Sequence, residues 1–156
     1  MPNLTRNVEF YDLIGLGGTF DHFHSGHAEL IKTAFRFGKY VAIGLTTEEL
    51  LENKILKEKI QSYSQREKNL KRFIENEIGV SEESYSIIPL NDPFGPAITD
   101  KKLQAHVSSM ETYKIAIKIN EIRIQKGLQP LVLIIIPIVL NKYGKKFSSS
   151  EIRKNS

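Results

Sequence analysis

Cysteine is missing from the 156 residues, which excludes disulfides, thiolate metal sites and cysteine nucleophiles. Long hydrophobic runs are missing too. The longest, Leu131 to Leu140, is interrupted by Pro137 and falls far short of the roughly 20 apolar residues that a spanning helix needs. The opening segment, MPNLTRNVEF, lacks the apolar core of a secretory leader, so a cytoplasmic protein with no membrane partner is expected. No repeat, low-complexity tract or linker divides the sequence, and a single domain over residues 1–156 is expected. An RNA-binding signature of the K/R-G-F-G-F kind is absent, and basic residues cluster only around Lys54–Lys59 and Lys142–Lys146, so no nucleic-acid partner is expected. Two common phosphate loops are ruled out as well. Gly15 and Gly17 supply the first two positions of G-x-G-x-x-G, but Phe20 holds the third, and no G-K-[ST] follows these glycines.

What remains is an ordinary globular composition, 40% apolar and 26% charged, with a net charge of +4. One stretch stands out: GGTFDHFHSGH, Gly17 to His27. An apolar run precedes it (Tyr11, Leu13, Ile14, Leu16), and a helical pattern follows it (Leu30, Ile31, Ala34, Phe35, Phe37). The stretch therefore lies where a buried strand passes into a helix, a place that suits anions because helix N-termini present N–H groups and positive partial charge.

The remaining elements follow from periodicity and punctuation. Strands are expected at Tyr11–Leu16, Tyr40–Leu45, Ser84–Leu90, Ala105–Ser108 and Leu131–Ile136, the last covered on both faces because it is continuously apolar. The first helix is expected to run from Ser25–His27 to Phe37, with Gly38 as its C′ residue. Thr46 or Thr47 is expected to cap a short helix through Asn53. Residues 54–62 are polar, basic and poorly periodic, and are expected to be the most mobile segment. Ser64 and Glu67 form a capping-box pattern for a helix that buries Leu70, Phe73, Ile74 and Ile78 and stops at Gly79. A long helix over Glu111–Lys126 should bury Ile115, Ile119 and Ile122, and another should open at Ser148–Ser150. Alternating strands and helices predict an α/β fold with a parallel sheet and its ligand site outside the carboxyl ends of the strands.

GGTFDHFHSGH resembles the T/HxGH signature of the nucleotidyltransferase superfamily, which is related to the HIGH signature of class I aminoacyl-tRNA synthetases. FSSSEIR, Phe147 to Arg153, resembles that superfamily's second, ISSTxxR-like signature. IQSYSQRE, PLNDPFGPAITD, KINEIR, KGLQPL and IPIVL…GKKFSSSEIR are similar to the archaeal and eukaryotic type of phosphopantetheine adenylyltransferase. Departures from that pattern stand at Met110, at Tyr113–Ile117 and at Lys142–Tyr143. The resemblance implies a Rossmann-like five-stranded parallel sheet of order 3-2-1-4-5 with helices on both faces. It also implies transfer of AMP from ATP to 4′-phosphopantetheine, giving dephospho-coenzyme A and pyrophosphate, with Mg²⁺ carried by ATP. Other readings are an adenylyl- or cytidylyltransferase with a nicotinamide mononucleotide, FMN or alcohol phosphate acceptor, or a nucleotide-binding sensor without turnover. A monomer or small homo-oligomer is compatible with all of them.

Under this resemblance Thr19, His24, His27 and Arg153 are the expected catalytic residues. Gly17, Gly18, Thr19, Phe20, His24 and His27 are expected on the nucleotide, together with Lys145, Ser148, Ser149, Ser150 and Arg153 at the second signature. Lys54, Lys57 and Lys59 are candidates for the acceptor phosphate. Asp21 is expected to cap its turn or hold a histidine tautomer, and His22 to be structural or peripheral. Asp92 and Asp100 are expected to shape turns rather than hold metal, no protein metal site is expected, and His106 is read as core or edge with no role.

Overall fold

The computed structural model describes residues 10–51 and 60–137. Five strands, β1 (Tyr11–Gly18), β2 (Gly38–Thr46), β3 (Tyr85–Leu90), β4 (Ala105–Ser109) and β5 (Val132–Ile136), form one sheet of order β3-β2-β1-β4-β5. All four pairings are parallel, which requires a crossover between successive strands. Helix α1 (Ser25–Phe37) joins β1 to β2, α2 (Tyr63–Phe73) lies between β2 and β3, and α3 (Tyr113–Gln125) joins β4 to β5.

Side chains alternate across each strand, and the two faces differ in bulk. Ile14, Leu16, Val41, Ile43, Leu45, Ala105 and Val107 pack with Ile31 and Ala34 of α1 and Leu70 of α2 into the main core. The other face carries Gly15, Gly17, Ala42 and Gly44, and is roofed by a smaller cluster of Ala97, Leu103, Ile119 and Leu131. Small residues on one face leave space beneath that roof. The sheet also opens there: β1 and β4 are in register only at Ile14–Ala105 and Gly15–His106, and beyond that point the strands part. The crevice lies at the switch point, outside the carboxyl ends of the strands.

Gly38 follows α1 as its cap, in extended backbone (φ −114°). It is glycine because a Cβ there would overlap the Ile14 side chain. Several local expectations are revised. Helix α2 is capped by Ser62, whose Oγ accepts from the Gln65 N–H at 3.2 Å, rather than by Ser64 and Glu67. The start moves because Glu48 Oε1 takes the Tyr63 N–H at 3.1 Å, and Asp21 anchors Gln61 just before the cap. The helix ends as expected, in a π-turn over Ile74–Ile78 closed by left-handed Gly79 (φ 81°). Thr47 Oγ1 accepts from Leu50 N–H at 3.3 Å and closes a turn, not a helix, within the described residues.

Helix α3 buries Ala116, Ile119 and Arg123, while Ile115 is 43% exposed. A charged residue holds the inner face because its guanidinium finds carbonyls: Arg123 Nη1 donates to Ala97 O (2.7 Å) and Asp100 O (2.9 Å), and Nε to Gln129 O (2.8 Å). Strand β5 is an edge strand, and Val132 and Ile135 are 47% and 40% exposed, so it is not covered on both faces. The expected mobile segment falls mostly, and the helix at Ser148–Ser150 wholly, outside the described residues.

Candidate active site

Strand β1 ends in Gly17 and Gly18, and Thr19 follows; all three line a cavity of about 340 Å³ at the crevice. The chain then makes a sharp turn with two non-glycine residues in the left-handed region, Phe20 (φ 50°) and His22 (φ 46°). Such backbone costs energy and persists only where the surroundings hold it. Here they do. The Phe20 ring is buried in the main core, 5.3 Å edge-on from the His27 ring, so its side chain anchors the turn instead of meeting a nucleotide as expected. Asp21 is fully buried, and its Oδ1 accepts from Gln61 N–H at 2.9 Å. Gln61 returns the tie through Oε1, which accepts from His22 N–H at 3.0 Å. His22 Nε2 stands 3.7 Å from Asp21 Oδ2, so Asp21 pins the turn and also faces a histidine.

A residue given no role from sequence completes the brace. Arg66, fully buried, donates from Nη1 to Thr19 O (3.0 Å) and Thr46 Oγ1 (3.3 Å) and from Nε to Gln61 O (3.0 Å). One guanidinium thus fixes the end of β1, the end of β2 and the entry to α2. Burial lowers its pKa, opposed by Asp21, Glu48 and Tyr63, and it remains charged.

His24 is the N-cap of α1, in extended backbone (φ −141°, ψ −178°). Its Nδ1 accepts from Gly26 N–H at 3.0 Å, and His27 Nδ1 accepts from His24 N–H at 3.3 Å. This is a capping box built from two imidazoles in place of the usual hydroxyl and carboxylate. The rings stack at 3.8 Å and 20°. Because both Nδ1 atoms accept, the Nε2 atoms carry the protons of the neutral rings. Burial, and then the neighbouring His24, lower the His27 pKa to about 3. Burial also lowers that of His24, against an opposing pull from Glu111. His27 lies one turn before Leu30, which lines the cavity from α1.

A second cavity of about 130 Å³ lies deeper, over Gly15, Ala42 and Gly44 and under Phe94, Ala97 and Ile119. The two cavities share Gly17, Leu90, Pro93 and His106. Glycine is required at position 44, since a Cβ there would come within 2.7 Å of the Leu90 side chain, which fills the boundary between them. His106, read from sequence as core or edge without a role, stands at that boundary. Burial lowers its pKa to about 4, and its Nδ1 has no partner among the described residues. Period-two alternation on β4 places His106 and Ser108 opposite the core residues Ala105 and Val107. Asp92 and Asp100 shape turns as expected: Asp92 Oδ1 accepts from Phe94 and Gly95 N–H (2.8 and 2.7 Å) and Asp100 Oδ1 from Lys102 N–H (2.8 Å). Lys54, Lys57, Lys59, Lys145, Ser148, Ser149, Ser150 and Arg153 lie outside the described residues.

The chain belongs to the cytidylyltransferase-like family, whose model matches residues 16–155. It is 44% identical over 138 residues to the phosphopantetheine adenylyltransferase of Pyrococcus abyssi, covering 88% of this chain and 86% of that one. It is 44% identical over 143 residues to the phosphopantetheine adenylyltransferase of Thermococcus kodakarensis, covering 92% and 85%. Among solved structures it is similar to an Archaeoglobus fulgidus protein of unknown function, with a TM-score of 0.71 and 28% identity, over 79% of this chain and 87% of that one.

Proposed function

We propose that the protein is a pantetheine-phosphate adenylyltransferase, transferring AMP from ATP to 4′-phosphopantetheine within a single domain. The observation that carries this reading is the pair of joined cavities. The outer one starts at Thr19 beside a histidine-capped helix start, and the inner one is apolar and roofed by Phe94, Ala97 and Ile119. An acceptor with phosphate at one end and a thiol-ended chain at the other suits a site with a helix start at one end and an apolar chamber at the other. The kinship with archaeal phosphopantetheine adenylyltransferases points the same way.

In the proposed reaction an acceptor phosphate oxygen attacks the α-phosphorus of ATP. The new P–O bond forms as the bond to the bridging α–β oxygen breaks, and pyrophosphate leaves with its electron pair. No protein nucleophile is needed, so the protein's task is positioning and donors aimed at developing charge. Thr19 offers its hydroxyl between acceptor and α-phosphate, and His24 and His27 offer Nε2–H. Neutral rings can donate without a preceding protonation, and phosphate charge beside them would raise their pKa. Ser149, Ser150 and Arg153, with Ser148 and Lys145, are assigned to the β- and γ-phosphates, and one of Lys54, Lys57 and Lys59 to the acceptor phosphate. Mg²⁺ would come bound to the ATP substrate and would there neutralise phosphate charge. Asp92 and Asp100 are spent on backbone N–H groups.

The test is pyrophosphate release with ATP and 4′-phosphopantetheine, against CTP as donor and nicotinamide mononucleotide as acceptor. Release that depends on both ATP and 4′-phosphopantetheine is expected. Preference for another donor or acceptor would overturn the assignment. Arg153→Ala should weaken ATP more than AMP in calorimetric titration, and equal losses would remove Arg153 from the β,γ-phosphates.

A further inference from the structure

His106 and Ser108 stand two residues apart on β4, on the face away from the main core. Strand geometry puts successive same-face residues about 7 Å apart. Both line the outer cavity, and His106 also lines the inner one. Ser108 is only 3% exposed, and among the described residues its Oγ has no hydrogen-bond partner, nor has the buried Nδ1 of His106. Buried polar groups without partners are uncommon, because each forfeits its hydration for nothing. Two of them side by side, in a mostly apolar groove whose other polar lining is Thr19, Thr46 and Thr112, imply that a ligand supplies what the protein does not.

The chemistry narrows the ligand. Burial keeps the imidazole neutral, so it has one donor and one acceptor nitrogen, and a hydroxyl also donates and accepts. Such a pair suits uncharged groups that donate and accept as well, as secondary amides do. We infer that His106 and Ser108 are specificity-determining residues that read the two amides of the acceptor's pantetheine arm. This rests on the adenylyl-transfer reading above. The order along the strand fits. Ser108 is nearer the carboxyl end, where Thr19 meets phosphate, and takes the amide next to the pantoyl group. His106, beside the inner cavity, takes the amide next to the thiol-bearing carbons, whose tail fills the apolar chamber. The two amides are separated by two methylene carbons, a span comparable with the spacing of the two side chains.

The experiment is a cycle of variants against acceptors. The full chain, as wild type, Ser108→Ala, His106→Leu and His106→Gln, is assayed with 4′-phosphopantetheine and with two analogues, each with one amide replaced by two methylenes. For the natural acceptor, Ser108→Ala and His106→Leu should each raise KM about tenfold with little change in kcat, the pattern of lost uniform binding. Each should lose the preference for amide over methylene at its own amide and keep it at the other. His106→Gln, which retains a donor and an acceptor, should recover part of the loss. Thermal melting of the ligand-free variants should be unchanged or higher, since an unpartnered buried polar group has been removed; a merely structural role would lower it. Variants that keep the wild-type preference at both amides would overturn the inference and leave adenylyl transfer standing. Failure of the wild type to use 4′-phosphopantetheine would overturn both.

Discussion

Replacing His27 by asparagine separates two jobs that its ring performs at different atoms. Nδ1 caps α1 by accepting from His24 N–H, and Nε2–H is the donor assigned to the α-phosphate. An asparagine side chain places an acceptor near the Nδ1 position and nothing near Nε2. A glutamine reaches the Nε2 position and gives up the cap. His27→Asn should therefore fold with little loss of stability, yet lose on the order of 10²- to 10³-fold in kcat, the usual cost of one preorganised donor to developing charge. His27→Gln should cost about 1 kcal/mol through the cap and retain more turnover than His27→Asn. The two are compared by thermal or urea unfolding and by steady-state pyrophosphate release. Asparagine turning over at near wild-type rate, or glutamine as inactive as asparagine but equally stable, would refute the division of labour. A pH arm is independent of activity. His27 and His106 stay neutral in the folded chain down to about 3 and about 4, because burial opposes their charging. In the unfolded chain they protonate near their ordinary value of about 6.5. The unfolded state thus binds more protons below that value, so their contribution to stability is fully present above about pH 6.5 and is lost as pH falls toward the folded values. His27→Asn should flatten the fall of Tm between about pH 6.5 and 4; an unchanged slope would mean that His27 is not held neutral by the fold.

Arg66→Lys should lower stability by about 3 kcal/mol, since an ammonium lacks the planar fork that reaches Thr19, Thr46 and Gln61 together. A near wild-type urea midpoint would show that the β1 turn is held by something else. Ser62→Ala should cost about 1 kcal/mol and Ser64→Ala only a few tenths, because Ser62 Oγ is the atom that accepts the N3 amide; the reverse order would restore the cap to Ser64. Labelled pyrophosphate should not exchange into ATP without acceptor if transfer is a single displacement, and exchange at a rate near turnover would demand an adenylyl-enzyme and a histidine nucleophile.

The order of strands and helices was legible in the chain because it rests on local signals: period-two and period-3.6 apolar patterns, glycines at helix ends, and the GGTFDHFHSGH turn between β1 and α1. Strand order itself came from the resemblance, not from hydrophobicity, since any buried strand has the same pattern wherever it lies in a sheet. For the same reason β5 reads as covered on both faces although it is an edge strand. The turn residues were visible as a cluster, but their division of labour was not. Phe20 anchors the core, while Asp21 and His22 tie the turn to Gln61, and Nδ1 of both His24 and His27 is occupied by backbone N–H groups. Arg66 and Arg123 are charged helix residues that no sequence pattern marks as buried. They are buried because carbonyls from segments distant in sequence converge on them, a fact that no local pattern encodes. His106 and Ser108 read as an ordinary strand end. Only the parting of β1 from β4 beyond Gly15, and the small residues on that face of the sheet, turn them toward a cavity. Helical and strand periodicity depends on neighbours in the chain, whereas a pocket depends on which surfaces fail to meet, and that is decided only when the sheet is assembled.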